Sequence, residues 1–203
     1  MEHSVCFIGH RKIHDTPELR ERLKSILQEL IDNGTSNFIF GDHSAFDDLC
    51  YDLVTELKEK YPEIKRINFR KDYEDTDDYT MQFLIAGYEE SICPKGVGNA
   101  GRASYVERNQ AIIRESDVCI FYYDENYLPS RRKYGKHYLT DYQPKSGTAV
   151  AYAYAESKKK RIINCFKPDW IQMSKYMAKF ACRKFEIFIK LLILRSNCVI
   201  LYL

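Results

Sequence analysis

The sequence lacks any marked excess of charge of one sign. Its 203 residues include 31 Lys and Arg against 29 Asp and Glu, which gives a formal net charge of +2 at pH 7. A balance this close to neutral does not by itself argue for a nucleic acid or an anionic membrane as the partner of the chain. The distribution of charge along the chain therefore matters more than its sum.

Paired cysteines are also lacking. The seven cysteines form no Cys-x-x-Cys motif, and no histidine stands where it would complete a zinc-ligand spacing. Cys6, Cys119 and Cys165 lie within apolar runs, where a reduced cysteine behaves as a small hydrophobic residue. We therefore expect buried free thiols in a reducing compartment, with neither a metal nor a cofactor.

Long apolar runs are missing from the N-terminal stretch "MEHSVCFIGHRK", so we expect no signal peptide there. The most apolar stretch, "FEIFIKLLILRSNCVILYL", lies within residues 170–203 and is interrupted by Glu186, Lys190 and Arg195. A membrane-spanning helix needs about 20 mainly apolar residues. The expectation is a cytoplasmic protein in which residues 170–203 form an extension that packs on the domain or on a partner, not a membrane anchor.

Strand and helix patterns alternate along the rest of the chain, which has a suitable length for one α/β domain at residues 1–169. Strands are predicted at 4–9, 37–42, 64–69, 118–123 and 161–166, and helices at 17–33, 45–62, 77–90, 103–117 and from "SGTAVAYAYA" to about residue 158, with a loop at 91–103. This alternation indicates a Rossmann-like three-layer α/β sandwich with a mainly parallel sheet.

Right-handed crossovers place each strand-to-helix turn at the carboxyl edge of such a sheet, where ligands bind. The first turn is "GHRK", in which Gly9 lets the backbone approach a ligand, while His10 and Arg11 can contact a phosphate or a base. The alternative is a solvated basic turn.

The second turn is "FGDHSAFDD". Gly41 stands at a strand end before a helix, which is a usual geometry for holding an anion on free backbone N–H groups. Asp42 adds negative charge at that point, and the segment is not a G-x-G-x-x-G motif. For Asp47 two roles are open, the cap of a turn or a contact to a ribose hydroxyl.

The third and fourth candidates are "ERNQAIIRESD" and "KSGTAVAYAYA". Arg108 can hold a phosphate bidentately and Asn109 can position it, both near the start of their helix, unless this is only a charged surface helix. Ser146 or Thr148 can cap the fourth helix, and Gly147 permits close approach of the backbone. A purely structural helix start is the alternative there.

An insertion at 124–145, "DENYLPSRRKYGKHYLTDYQPK", separates a strand from its helix. Its basic residues are interleaved with tyrosines, which offers phosphate contacts together with stacking faces for single-stranded nucleic acid. A lid over a small ligand is an equally open interpretation, and the near-neutral charge of the chain counts against nucleic acid.

Four segments in order, "CFIGHRK", "FGDHSAFDDL", "ERNQAIIRESDVCIFYYDE" and "SGTAVAYAYAESKKKRIINCF", resemble a YpsA/YspA-type bacterial domain of the SLOG superfamily. That superfamily is the nucleotide-binding Rossmann-like group named for DNA-processing protein A and the cytokinin-activating "lonely guy" phosphoribohydrolases. The resemblance covers residues 4 to about 167. It implies a Rossmann-like fold that binds a nucleotide or nucleotide derivative with its phosphate at the glycine turns.

The phosphoribohydrolase branch carries an arginine in an Arg-Lys pair ahead of a Ser-Asp strand start, followed by P-G-G-x-G-T-x-x-E. Arg108 and Asp117 match the first part, and Gly147 and Thr148 match the Gly-Thr pair, with Ser146 before them. The glutamate of that motif falls on an alanine, residue 151, which can neither stabilise an oxocarbenium-like centre nor act as a base.

The resemblance therefore favours a nucleotide sensor or binding module over an enzyme. A nucleotide N-ribosyl hydrolase or transferase that recruits Asp42 or Asp47 stays open as the alternative. Related sequences commonly carry two glycines at the second turn, where this chain has Gly41-Asp42. A homo-oligomer also stays open, and no membrane partner is expected.

Overall fold

A computed structural model of the chain describes residues 3–41, 44–70, 82, 85–94, 97, 102–129 and 144–166. Its contacts divide the chain into two units, Met1–Phe166 and Lys167–Leu203, and all of the described residues belong to the first. The extension predicted at 170–203, Asp42 and residues 130–143 of the insertion lie outside the described residues, so the predictions made for them stay predictions.

The described residues form an α/β fold around one six-stranded parallel sheet. In chain order its elements are β1 (Ser4–Gly9), α1 (Pro17–Asp32), β2 (Asn37–Phe40), α2 (Ala45–Lys60), β3 (Lys65–Phe69), β4 (Glu90–Ile92), α3 (Arg102–Glu115), β5 (Val118–Tyr122), α4 (Gly147–Ser157) and β6 (Arg161–Asn164). The strand order is β4-β3-β2-β1-β5-β6. The predicted Rossmann-like α/β architecture is confirmed.

Alternate residues of the central strand β1 face opposite sides of the sheet, as the two-residue period of a strand requires. Cys6 and Ile8 belong to a core cluster with buried residues of α3 and α4. Phe7 points to the other side, where its ring stacks on Phe40 with centroids 4.9 Å apart. The helices α1 and α2 cover this second face, so the sheet is buried on both sides and the strands read as continuous apolar runs.

The prediction of a helix reaching residue 90 followed by a loop is wrong at residues 90–92. These residues form the edge strand β4, which pairs in parallel with β3 in the register Ile67↔Glu90. Glu89 explains the pairing, because its carboxylate accepts hydrogen bonds from the backbone N of Arg66 at 2.6 Å and from its Nη2 at 2.7 Å. A three-residue strand held by a non-local ion pair leaves no periodic pattern in the sequence.

The expected state of the cysteines agrees with the structure. The five described cysteines are free, and all but Cys93 are buried. Burial raises the pKa of the Cys165 thiol to about 12, so this thiol stays protonated. In the described part of the chain, no group of three or more His, Cys, Asp or Glu side chains could hold a metal ion, and no helix is long and apolar enough to cross a membrane.

Gly9 ends β1 directly against α2, where a Cβ at residue 9 would lie 2.4 Å from the Cβ of Phe46. We expect Gly9→Ala to lower the free energy of unfolding by about 1–3 kcal/mol, because the buried Phe46 ring cannot move aside without disturbing the core. Gly147→Ala is the matched control, since an added Cβ there meets no described atom within 4 Å. Urea denaturation measures both, and equal losses would contradict this account.

The pair of Glu89 with Arg66 predicts a pH-dependent stability. Burial alone would raise the pKa of Glu89, but the hydrogen bonds and charge of Arg66, with the charge of Lys58, lower it to about 2. A lowered pKa stabilises the fold fully above the unfolded value of about 4.3, and this contribution is lost as the pH falls towards 2. We expect Glu89→Gln to destabilise the protein at pH 7 and the difference from wild type to shrink at pH 3.

Glu90→Gln is the control for this prediction, because the pair of Glu90 with Lys65 is exposed and contributes little. Urea denaturation at pH 7 and pH 3 measures the three proteins. A Glu89→Gln defect of the same size at both pH values would show that its carboxylate charge is not the cause.

Candidate functional site

The topology places a crevice between β1 and β5. These strands are neighbours with Gly9 paired to Tyr122, yet β1 leads into α1 on one face of the sheet and β5 leads into α4 on the other. Connections that leave towards opposite faces open a gap at the carboxyl ends of the two strands. This switch point is where open α/β sheets bind their ligands.

His10 lies at this switch point and is only 3% exposed. Its backbone N donates to the carbonyl of Tyr122 at 3.3 Å, and its Nε2 accepts from the backbone N of Asp124 at 3.0 Å. A backbone N–H can only donate, so Nε2 carries no proton and the neutral ring is protonated at Nδ1. The ring lies against Tyr127, with centroids 4.1 Å apart. His10 is therefore a neutral donor held in an aromatic setting.

The other two residues of the first turn have different surroundings. Gly9 packs against Phe46 of α2, so helix-to-strand packing already requires a glycine there. Arg11 is exposed, and its carbonyl accepts a hydrogen bond from the backbone N of Ala45 at 3.4 Å. This bond joins the first predicted turn to the start of α2. Of the three predicted residues, His10 is the one buried between the ends of β1 and β5.

Gly41 and Arg108, predicted in separate turns, lie against each other. A Cβ at residue 41 would be 3.2 Å from Nη2 and 3.3 Å from Nε of Arg108. Arg108 is 4% exposed, and its guanidinium donates from Nη2 to Oδ1 of Asn109 at 3.2 Å and lies over the ring of Tyr105. Arg108 stands in the middle of α3, not near its start as expected, and its side chain brings it to the end of β2.

The second turn begins α2 through a side-chain cap. Oγ of Ser44 accepts from the backbone N of Asp47 at 3.1 Å and donates to Oδ2 of Asp47 at 2.5 Å. Asp47 thus takes part in a helix cap, which is one of the two roles predicted for it. Its carboxylate also favours the positive end of the helix dipole at this position.

The fourth turn begins α4 in the same way. Ser146 is the cap, because its Oγ accepts from the backbone N of Ala149 at 3.0 Å, while Thr148, the other predicted cap, is buried in the first turn. Gly147 is exposed between them. Ala151, at the position of the motif glutamate, is 3% exposed and belongs to the core cluster. A carboxylate at residue 151 would therefore sit among apolar side chains.

Asp117 matches the hydrolase motif but lies at the opposite, amino edge of the sheet. Its Oδ2 accepts from the backbone N of His3 at 2.9 Å, the backbone N of Ser4 at 3.1 Å and Oγ of Ser4 at 2.9 Å. These bonds anchor the start of β1. Asp117 therefore has a structural role far from the crevice.

No prediction from the sequence includes Asn68, the penultimate residue of β3, which lies beside the second turn. It is buried, and its Nδ2 reaches the carbonyl of Gly41 at 3.5 Å. The side chain of Tyr88 also bonds to it, although burial raises the pKa of that phenol to about 12. The sequence did contain one indication of this residue, a single amide in the otherwise apolar end of "RINF". A polar side chain that is buried there needs hydrogen-bond partners.

The setting of His10 predicts its titration. Burial lowers the pKa of His10, and the nearby charge of Asp124 opposes this only in part. We expect the ring to titrate with a midpoint below 6.5 when its C–H signals are followed by NMR. Because the folded pKa is lowered, stability is complete above about pH 6.5 and declines below it. His10→Gln should remove that decline, and a midpoint above 6.5 would contradict the neutral assignment.

Comparison with known proteins bears on this site. No curated protein matches the chain. A family model described as the YspA SLOG family matches residues 8–157. This range runs from the end of β1 through α4 and includes all of the described candidate residues. Membership of this family suggests a nucleotide-related function. The resemblance seen in the four sequence segments is confirmed, and the chain belongs to the YspA SLOG family.

Proposed function

We propose that the protein binds a nucleotide or a nucleotide-derived ligand at the carboxyl edge of its sheet and acts as a sensor or binding module. The observation that carries this proposal is the guanidinium of Arg108, held against Gly41 where β2 ends. A guanidinium fork matches a phosphate bidentately, and its charge does not titrate near neutral pH. Its bond to Asn109 orients it before any ligand arrives.

The aromatic setting of His10 suits the other end of such a ligand. The rings of His10 and Tyr127 lie together beside the ends of β1 and β5, and the ring of Tyr123 lies near them, tilted, with its centroid 6.1 Å from that of His10. Nucleobases stack on flat rings of this kind. The neutral Nδ1–H supplies one donor without adding a charge. The switch point thus supports recognition of a base, and Arg108 supports recognition of a phosphate.

The surroundings of Ala151 support binding over hydrolysis. The residue packs in the core of the sheet, so the position that holds a glutamate in the hydrolase motif has no carboxylate and no polar surroundings. Asp47, one of the two carboxylates available as a replacement, already accepts a hydrogen bond from Ser44. The alternative of single-stranded nucleic-acid binding stays a prediction, because residues 130–143 lie outside the described structure.

Mass spectrometry of small molecules released from the purified, denatured protein tests for a retained ligand. Calorimetry with AMP, GMP, CMP, UMP and ADP-ribose then tests binding directly. We expect Arg108→Ala to weaken binding about 10- to 100-fold, since a hydrogen bond to a charged group contributes about 1.5–3 kcal/mol. Arg108→Lys should restore only part of this loss, because the ammonium lacks the bidentate fork.

Arg114→Ala is the matched control on the same helix, because Arg114 is exposed and contacts Tyr154 at the far end of α3. It should leave affinity within about twofold of wild type. A protein that releases no nucleotide and binds none of the panel would overturn the proposal. Release of free base from a nucleotide by the wild-type protein, but not by Arg108→Ala, would instead show that the protein is a ribosyl hydrolase.

A further inference from the structure

Glu107 has a buried carboxylate oxygen that no part of the proposed site yet uses. Its Oε2 is shielded from solvent and makes no hydrogen bond to any residue that the structure describes. A shielded oxygen of a carboxylate is costly unless a donor reaches it, and nearly all such atoms in proteins have one. The position of this oxygen therefore indicates where a donor belongs.

The packing of α3 against α4 locates Glu107. Both helices run from the carboxyl edge to the amino edge of the sheet, so they are parallel. Near their ends Nη1 of Arg114 lies 3.4 Å from the hydroxyl of Tyr154, and Nζ of Lys160 donates to the carbonyl of Arg114 at 2.9 Å. These contacts show which side of α3 faces α4 and which turns lie level with each other.

Seven residues are almost two helical turns and span about 10.5 Å, so residues seven apart share a face. Seven residues before Arg114 stands Glu107, and seven before Tyr154 stands Gly147. Glu107 is thus on the side of α3 that faces α4, level with the first turn of α4. That turn lies at the carboxyl edge of the sheet, the edge to which the proposed ligand is assigned.

The adjacent residues Glu107 and Arg108 place a negative and a positive charge on different sides of α3. Successive residues of a helix diverge by about 100°. Arg108 accordingly lies against Gly41 at the end of β2, whereas Glu107 lies towards α4. The carboxylate makes the start of α4 unfavourable for a second anion and favourable for a hydrogen-bond donor. A ligand that fits both Arg108 and Glu107 directs its phosphate towards the end of β2. It also has a hydrogen-bond donor close to that phosphate, directed towards the start of α4.

In a nucleotide the donors closest to the phosphate are the hydroxyls of the sugar. We propose that Glu107 accepts hydrogen bonds from the ribose hydroxyls of the ligand and so selects ribonucleotides over deoxyribonucleotides. This inference rests on the proposed function. It assigns the first turn of α4, with Ser146 and Gly147, to the sugar and leaves the phosphate to Arg108. Loss of the hydroxyls then leaves the carboxylate without its donor, which gives strong discrimination.

The test compares each ribonucleotide of the panel with its 2′-deoxy and 3′-deoxy counterparts by calorimetry. The wild-type protein should bind at least one of the deoxy forms about 10- to 100-fold more weakly than the ribonucleotide. In Glu107→Ala we expect this ratio to fall to within about threefold, because the ribonucleotide loses affinity and the deoxy form does not. Glu115→Gln, an exposed change on the same helix, should keep the wild-type ratio.

Glu107→Gln separates a ligand contact from a structural role. The amide has the same shape without the charge, so thermal unfolding of the ligand-free protein should show no loss of stability, while the ribose preference drops. A strong loss of stability, equal weakening of ribo and deoxy forms, or a ratio unchanged in Glu107→Ala would overturn the role of Glu107 and leave nucleotide binding intact. Failure of the wild-type protein to bind the panel would instead remove the proposed function, and this inference with it.

Discussion

The central strand β1 is the constraint on which the other elements depend. It is buried on both faces, pairs with β2 on one side and with β5 on the other, and is anchored at its start by Asp117. At its end Gly9 allows α2 to approach through Phe46. Because the connections beyond β1 and β5 leave towards opposite faces, the position of this one strand also decides where the crevice opens.

Most of the fold could be predicted from the sequence because the parallel strands are buried on both sides and read as apolar runs. The edge strand β4 could not. It has three residues, and its pairing depends on the contact between Glu89 and Arg66, which are far apart in the chain. Local patterns carry no information about such a contact. The helix starts were easier, since Ser146 caps α4 as its residue type indicates.

The candidate site was predictable as a set of turns but not as an arrangement. His10, Gly41 and Arg108 each stand out by residue type, yet the contact between Gly41 and Arg108 follows from the packing of α3 over the sheet. Asp117 shows the converse, because it fits the hydrolase motif but lies at the amino edge of the sheet, away from the candidate site. Glu107 opens the same segment as Arg108 but was not singled out in it, and only the parallel alignment of α3 with α4 puts it level with the first turn of α4.

The contact between Gly41 and Arg108 has a consequence for variation at these two positions. A Cβ at residue 41 would lie 3.1 Å from the side chain of Ile112 and 3.2 Å from the guanidinium, so even alanine requires these groups to shift by a few tenths of an ångström. The two positions therefore behave as one unit, and the effects of changing them do not add. A side chain larger than alanine after β2 would push the guanidinium further, which would move the positive charge away from the sheet edge.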